Sequence, residues 1–281
     1  MDPSRSPSNG IRQSIRRQVV GLFNDPAQGE VPIVRSDDAL FDRESIAWQV
    51  HGDVASMMVG GITSLLMQML HPAVLAGVWD HSNFREDMHG RLRRTARFIA
   101  TTTYGERALA ERLIQRVRTI HDHVTGELPD GTPYRANDPA LLAWVHVTET
   151  TSFLAAWVRY GQPLMSAADQ DRYFAEMAVI AVALGAWPVP RSRSEAEAII
   201  MQMRPQLQAD ARSAEVARLI LQGGRRTILA DLPRKLAVQA ATDLLPSWAR
   251  RLHGLTLPPF QRPVIRAGAL GVAQTLRWAF R

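Results

Sequence analysis

Residues 139–160 read PALLAWVHVTETTSFLAAWVRY, an apolar run with the length and spacing of a long buried helix. Asp138 before Pro139 is the favoured order at a helix start, because the carboxylate caps free N–H groups and proline needs no partner. Gly161, followed shortly by Pro163, predicts the end of the helix. One histidine, His146, therefore lies inside an otherwise apolar helix.

Helical spacing recurs along most of the chain. Apolar residues follow it without interruption between residues 106 and 124, and Gly126 closes that helix. No segment keeps an alternation of apolar and polar residues with period two, and Pro-Asp-Gly-Thr-Pro at 129–133 predicts a loop. We therefore predict an all-α fold, with a single domain of about ten helices at residues 39–281. Within it, Gly60-Gly61 either separates two helices or lets two helices approach closely.

Residues 1–38 are predicted to form a flexible leader that contains a short basic amphipathic helix at residues 11–23. Such a helix can lie on anionic lipid, so a peripheral contact with a membrane is left open. The first residues lack the apolar core of a secretory signal, and no run reaches the roughly 20 apolar residues of a membrane span. We expect a cytoplasmic protein that is at most loosely associated with membrane.

Composition excludes several classes of function. The 281 residues are 46% hydrophobic and 21% charged, which is typical of a globular chain with a substantial core. Cysteine is absent, which rules out disulfides, thiolate ligation of haem, iron–sulfur clusters and a cysteine nucleophile. The net charge is +6, but the basic residues are spread along the chain among 27 acidic ones. This pattern favours a solvated, ion-paired surface, and we expect no nucleic-acid partner.

Familiar catalytic motifs are missing as well. A zinc-protease helix needs His-Glu-x-x-His, which the sequence does not contain. A di-iron bundle needs two Glu-x-x-His helices, whereas only Glu86 and His89 have this spacing, in a segment that resembles a turn. Neither a P-loop nor a Gly-x-Ser-x-Gly elbow occurs.

Two helices remain as candidates for a site. Arg118 and His121 are three residues apart on one of them, and His146 shares a face of the other with Glu149 and Phe153. If these faces oppose each other, they bracket an apolar slot with one imidazole and nearby cations. A haem needs such a slot, because a neutral imidazole can be the axial ligand of its iron.

Each candidate residue can also have a purely structural role. His146 can be an ordinary hydrogen-bonded core histidine, and Arg118 can simply pair with Glu149 between packed helices. Trp144 and Phe153 are candidates for the walls of a cofactor pocket, as are Met67 and Leu70, although core packing suits all four.

Short motifs along the chain resemble a known family, in order and in spacing. They are Trp48-Gln49-Val50-His51, Leu70-His71-Pro72, Asp80-His81-Ser82-Asn83-Phe84, Gly90-Arg91-Leu92-Arg93-Arg94-Thr95, Thr101-Thr102-Thr103-Tyr104-Gly105, Arg116-Val117-Arg118-Thr119-Ile120-His121, Asp138-Pro139, Leu142-Ala143-Trp144-Val145-His146, Pro163-Leu164, Asp171-Arg172-Tyr173 and Met203-Arg204-Pro205. The family contains the latex-clearing rubber oxygenases and the fungal oxygenase of mycophenolic acid biosynthesis. The resemblance covers roughly residues 40 to 250 and is closest to the actinobacterial branch.

The resemblance implies a globin-like core, haem b as cofactor and dioxygen as co-substrate. It places His146 at the position of the iron ligand, and it places Arg118 and His121 across the haem. Rubber oxygenases cleave the double bonds of polyisoprene. This chain departs from them because Thr101, Thr102 and Thr103 stand where an acidic residue precedes the Arg118 helix. The acid–base part of that mechanism is therefore in doubt, and polyisoprene is not the expected substrate.

We therefore expect a haem-b-dependent oxygenase that acts on an apolar small molecule. His146 is the predicted proximal ligand, Arg118 the partner of a propionate or of the oxygen substrate, and His121 a donor or second axial ligand. Trp144 and Phe153 are predicted to help bind the cofactor. The alternative is a non-catalytic helical protein that binds haem or lipid, and a cofactor-free structural protein is a third reading.

Overall fold

A computed structural model describes residues 7–25, 29–222 and 228–281, which form thirteen α-helices and one small hairpin. The helices are α1 (Pro7–Phe23), α2 (Ile46–His51), α3 (Val54–Gln68), α4 (Pro72–His81), α5 (Met88–Tyr104), α6 (Arg107–Asp122), α7 (Pro139–Tyr160), α8 (Ala167–Leu184), α9 (Arg193–Met203), α10 (Ala211–Gln222), α11 (Ile228–Leu244), α12 (Ser247–Leu252) and α13 (Arg262–Phe280). The predicted all-α fold is confirmed. Thirteen helices replace the expected ten partly because α2 and α12, with six residues each, are too short for a clear periodic signal.

The predicted end of helix α6 at Gly126 is wrong, because α6 ends at Asp122 and Gly126 lies in the first strand of a hairpin around the predicted loop. Strands β1 (Thr125–Glu127) and β2 (Pro133–Arg135) pair antiparallel, with Gly126 opposite Tyr134. The turn between them contains Gly131 at φ 83° and Asp130, whose Oδ1 accepts a hydrogen bond from Thr132 N at 2.9 Å. Strands of three residues are too short to show an alternating pattern, which explains why the sequence did not reveal them.

Helix α7 is the central element, and its bounds agree with the prediction at both ends. Asp138 Oδ1 accepts hydrogen bonds from Ala140 N at 2.8 Å and Leu141 N at 3.3 Å. Gly161 ends the helix by donating its N–H to Trp157 O. The helix packs against α3, α8 and α9, so that most of its circumference is covered by other helices.

The two glycines of α3 bring this helix close to α7. A Cβ on Gly60 would lie 2.8 Å from Phe153 Cδ1, 2.9 Å from Phe153 Cα and 2.9 Å from Ser152 O. A Cβ on Gly61 would meet only Phe153 Cε1, at 3.7 Å. Since α3 runs through both positions without a break, the glycine pair serves close helix approach and does not separate two helices.

This difference between neighbouring glycines can be measured. Gly60→Ala is expected to lower the free energy of unfolding by about 1–3 kcal/mol, because the methyl group meets backbone atoms of α7 that cannot move aside. Gly61→Ala should instead be neutral or stabilising by up to about 1 kcal/mol, because alanine favours the helix. Urea denaturation of both variants checks the prediction, and equal effects at the two positions would contradict it.

Helix α1 packs along the end of α13. Arg12 donates to Trp278 O from Nε at 3.1 Å and from Nη2 at 2.9 Å, and Arg16 Nε donates to Ala279 O. These are the free carbonyls at the C-terminus of a helix, where cations are favourable. The predicted helix at 11–23 thus begins earlier, at Pro7, and two of its arginines face protein. The boundary at residue 38 stays a prediction.

Within residues 7–25, 29–222 and 228–281, no single helix is both long and apolar enough to cross a membrane. The pair α3 and α4 meets the criteria of length and composition only when taken together, and the two helices are bent by 104° at their junction.

Candidate functional site

His146 lies near the middle of α7 with its ring inside the protein. The residue is 8% exposed, and its Nε2 has no hydrogen-bond partner among the described residues. Burial lowers the pKa of the imidazole to about 4, so the ring is neutral at pH 7. A hydrogen-bonded core histidine would use this nitrogen, and here the nitrogen is free to act as a ligand.

His121 presents a second buried ring nitrogen on α6. Its Nδ1 is inaccessible to solvent and has no partner in the described part of the chain, although the residue as a whole is only half-buried. Burial lowers the pKa of this imidazole, while the neighbouring Asp122 acts in the opposite direction. Because α8 packs against both α6 and α7, the helices that carry His121 and His146 flank the same element.

Arg118 lies one turn before His121 and is exposed. Its Nη1 donates to Ala183 O at 3.1 Å, near the C-terminal end of α8. No ion pair between Arg118 and Glu149 is found in residues 7–25, 29–222 and 228–281, so the structure does not support that alternative. One guanidinium nitrogen thus ties α6 to α8, which leaves further N–H groups for an anionic ligand.

Asn137 joins the start of α7 to the end of α6, a role that the sequence analysis did not identify. Its Nδ2 donates to Arg118 O at 3.1 Å and also contacts Asp122 Oδ1. Its Oδ1 is buried and has no partner among the described residues. The position directly before the Asp138 cap was the only available signal, because asparagine is common where helices begin.

Trp144 and Phe153 occupy different sides of α7. Trp144 is fully buried, its Nε1 donates to Gln68 O at 3.4 Å, and its ring lies 6.5 Å from that of His71. Since residues two apart on a helix are about 200° apart around its axis, Trp144 faces away from His146. This packing favours the core role for Trp144. Phe153 shares the face of His146 and packs against Gly60.

The two other candidate wall residues belong to the core. Met67 is 3% exposed and Leu70 is fully buried, and both are part of the main apolar cluster. Their burial agrees with the core-packing alternative.

A buried polar network around His51 crosses the core beside Phe153. Thr103 Oγ1 donates to Ile99 O at 2.7 Å, so its oxygen is left to accept a hydrogen bond from His51 Nδ1 at 2.8 Å. His51 Nε2 then accepts from the Tyr173 hydroxyl at 2.8 Å. The contacts therefore define the neutral tautomer with hydrogen on Nδ1. Burial lowers the pKa of His51 to about 3.

Glu149 is a half-buried carboxyl group one turn after His146. Burial raises its pKa to about 7, and no hydrogen bond or ion pair to this side chain occurs among the described residues. Its charge acts on the hydroxyl of Tyr173, whose pKa is also raised by burial. Glu149 therefore holds a proton in neutral solution more readily than an ordinary glutamate does.

Glu149→Gln tests this description through the pH dependence of stability. The folded protein binds the proton more tightly than the unfolded chain, so the wild type loses stability as the pH rises from about 4.5 to about 7. At pH 8 the variant should exceed the wild type by up to about 3 kcal/mol, and near pH 4 the two should agree. Urea titrations at both pH values measure the difference. Glu111→Gln, on the exposed side of α6, is the control and should show no such change.

Comparison with known proteins supports the resemblance seen in the motifs. The model of the family "ER-bound oxygenase mpaB/B'/Rubber oxygenase, catalytic domain" matches residues 48–278, which is most of the chain. Neither a curated protein nor a solved structure gives a significant match. The matched region contains α6 and α7, with His121 and His146, and α8, which packs against both. The chain therefore belongs to the family of mpaB-type and rubber oxygenases.

Proposed function

We propose that the protein is a haem-b-dependent oxygenase of an apolar small molecule, with His146 as the proximal ligand of the iron. The observation that carries the proposal is the buried, unpartnered Nε2 of His146 on the central helix of an oxygenase-family domain. An unpartnered buried nitrogen is costly in a folded protein unless a ligand binds it.

The buried imidazole of His146 has the donor chemistry that haem b requires. Cysteine is absent from the sequence, so a neutral imidazole is the natural axial donor. The low pKa of His146, caused by burial, keeps its ring unprotonated and ready to bind a metal at neutral pH. Haem b, once bound, supplies the iron that activates dioxygen.

Arg118 and His121, both on α6, have different roles in this proposal. His121 offers a buried ring nitrogen that would donate a hydrogen bond in the haem site or help to hold the iron as a second ligand. Arg118 keeps α6 against α8 through Ala183 and uses its remaining N–H groups for a propionate. Phe153 contributes an apolar surface on the His146 side, which suits a substrate that binds by burial.

Acid–base chemistry by α5 has no support in this chain. Thr102 Oγ1 donates to Phe98 O at 2.9 Å, and Thr103 Oγ1 donates to Ile99 O at 2.7 Å. Both hydroxyls thus serve the backbone of their own helix and do not act as acids or bases. The substrate class therefore stays at an apolar small molecule, without polyisoprene as a specific proposal.

Haem content of a His146 variant tests the proposed function. Protein produced with a haem precursor is expected to show a Soret band that co-elutes with the protein in gel filtration. His146→Ala should lose at least nine-tenths of the bound haem, about a tenfold change, because the iron loses its protein ligand. The pyridine haemochrome spectrum measures the haem content and identifies its type.

Two further variants complete this experiment. His123→Ala, whose ring is exposed and bonded to Thr119 O, is the matched control and should retain full haem content. His121→Ala should alter the position of the Soret band with little loss of haem. Circular dichroism confirms that each variant is folded. Full haem content in folded His146→Ala would refute the assignment of the ligand.

A further inference from the structure

A cluster of three arginines around one carboxylate lies at the far end of α7. The side chain of Asp243 in α11 is completely buried, and its Oδ2 lies 3.0 Å from Arg159 Nη1 and 2.6 Å from Arg266 Nε. Arg262 Nε lies 3.5 Å from Asp243 Oδ1. One negative charge therefore faces three positive charges, and each arginine remains partly open to solvent.

Helix α13 adds to this positive excess. Its first residue is Arg262 and Arg266 follows one turn later, yet its first turn contains no acidic residue and no side chain caps it. The N-terminus of a helix already carries partial positive charge, so cations there are unfavourable unless an anion is close. A helix start of this composition is therefore suited to a negatively charged ligand.

Two buried donors in the cluster also lack a hydrogen bond. The hydroxyl of Tyr160, a residue only 3% exposed, has no hydrogen-bond partner among the described residues, and Arg262 Nε makes no hydrogen bond beyond its 3.5 Å ion pair with Asp243 Oδ1. Tyr160 directly follows Arg159 at the end of α7, and the charges of Arg159, Asp243 and Arg266 act on its hydroxyl. Buried donors without acceptors are rare and usually indicate a missing ligand or water.

We propose that Arg159, Arg262, Arg266 and Tyr160 bind a phosphate group. Its oxygens can accept hydrogen bonds from the free arginine N–H groups and from the tyrosine hydroxyl at once, and its charge balances the excess of the cluster. Arg159 lies thirteen residues after His146 on α7, about 20 Å along the helix axis. The phosphate site is thus separate from the proposed haem site and does not depend on it.

Two sources supply this phosphate chemistry, a soluble phosphate compound and the headgroup of an anionic phospholipid. Phe260 and Val264 flank Arg262 and are 76% and 73% exposed, so apolar and cationic groups share this surface. A lipid would use both kinds of group, whereas a soluble phosphate would use the arginines and Tyr160 alone.

Calorimetric titration of inorganic phosphate into the full-length protein, at constant ionic strength, tests the site. Tyr160→Phe removes only the unpartnered hydroxyl, so it should leave the fold intact and raise the dissociation constant for phosphate about tenfold. Arg262→Gln should have at least the same effect. Arg191→Gln removes an equal charge from an exposed loop and should bind phosphate as the wild type does.

A second arm separates the two sources. If phosphatidylglycerol vesicles bind the wild-type protein but not the Arg262→Gln variant, the ligand is a lipid headgroup. Phosphatidylcholine vesicles, which carry no net charge, are the control. Phosphate binding without vesicle binding indicates a soluble phosphate compound. If neither phosphate nor anionic vesicles bind, or if Tyr160→Phe and Arg262→Gln bind them as well as the wild type does, the proposal is wrong.

Discussion

Lowering the pH from 6.5 to 3 is expected to cost the folded protein roughly 4–5 kcal/mol through His51 alone. The pKa of this histidine is about 3 in the folded protein because burial disfavours the charged ring. The unfolded chain therefore binds the proton first as the pH falls below 6.5. Stability should decline by about 1.4 kcal/mol per pH unit across this window, and above 6.5 His51 should make no pH-dependent contribution.

The slope of stability against pH distinguishes His51 from other titrating groups. Glu149, whose charge also acts on Tyr173, titrates partly in the same window with the opposite sign. His146, whose pKa is lowered to about 4 by burial, titrates in this window with the same sign as His51, so the comparison must be between variants. His51→Gln should be less stable at pH 7, since it disturbs two buried hydrogen bonds, but its slope between pH 4 and 6.5 should be flatter. His123→Gln, an exposed histidine, should keep the slope of the wild type. An unchanged slope in His51→Gln would show that His51 is not the responsible group.

Trp144→Ala is expected to lower the free energy of unfolding by about 3–5 kcal/mol. The indole is fully buried, and its Nε1 bonds to the carbonyl of Gln68 near the end of α3. Alanine leaves a large cavity beside α3 and His71 that the packed helices cannot close. Urea denaturation monitored by circular dichroism measures the loss.

Two further variants are the controls for this prediction: one at an exposed tryptophan, and one that keeps an aromatic ring at position 144. Trp187 is 74% exposed, so Trp187→Ala should have a much smaller effect on stability. Trp144→Phe should cost less than the alanine variant and keep its haem, because Trp144 and His146 face opposite sides of α7. Loss of haem from a folded Trp144→Phe protein would instead indicate that Trp144 lines the cofactor pocket.

Local chemistry made α7 predictable to the residue. The Asp138 cap and Pro139 act at the start of the helix and Gly161 acts at its end. Each affects only the few residues beside it, so its effect can be recognised in the sequence. The hairpin was missed because two strands of three residues have no room for periodicity. The predicted number of helices was too low for the same reason. Short helices are stabilised by tertiary packing more than by the helical periodicity of their own sequence.

The candidate site was predictable only in part. The apolar run correctly indicated a buried His146, whereas the shared role of Arg118 and His121 stays a prediction. Spacing alone did not reveal that Arg118 contacts Ala183 or that Asn137 joins α6 to α7. The raised pKa of Glu149 was equally hidden, since it results from burial by other helices.

Sequence by itself determined the all-α class, the bounds of α7 and the absence of cysteine chemistry, because each depends on residue types and on spacing within one segment. Only the tertiary structure decided which residues meet: His51 with Tyr173 and Thr103, or Asp243 with three arginines from two other helices. The reason is physical. Periodicity defines the face that a helix buries, whereas the partner of that face depends on how helices distant in sequence pack together.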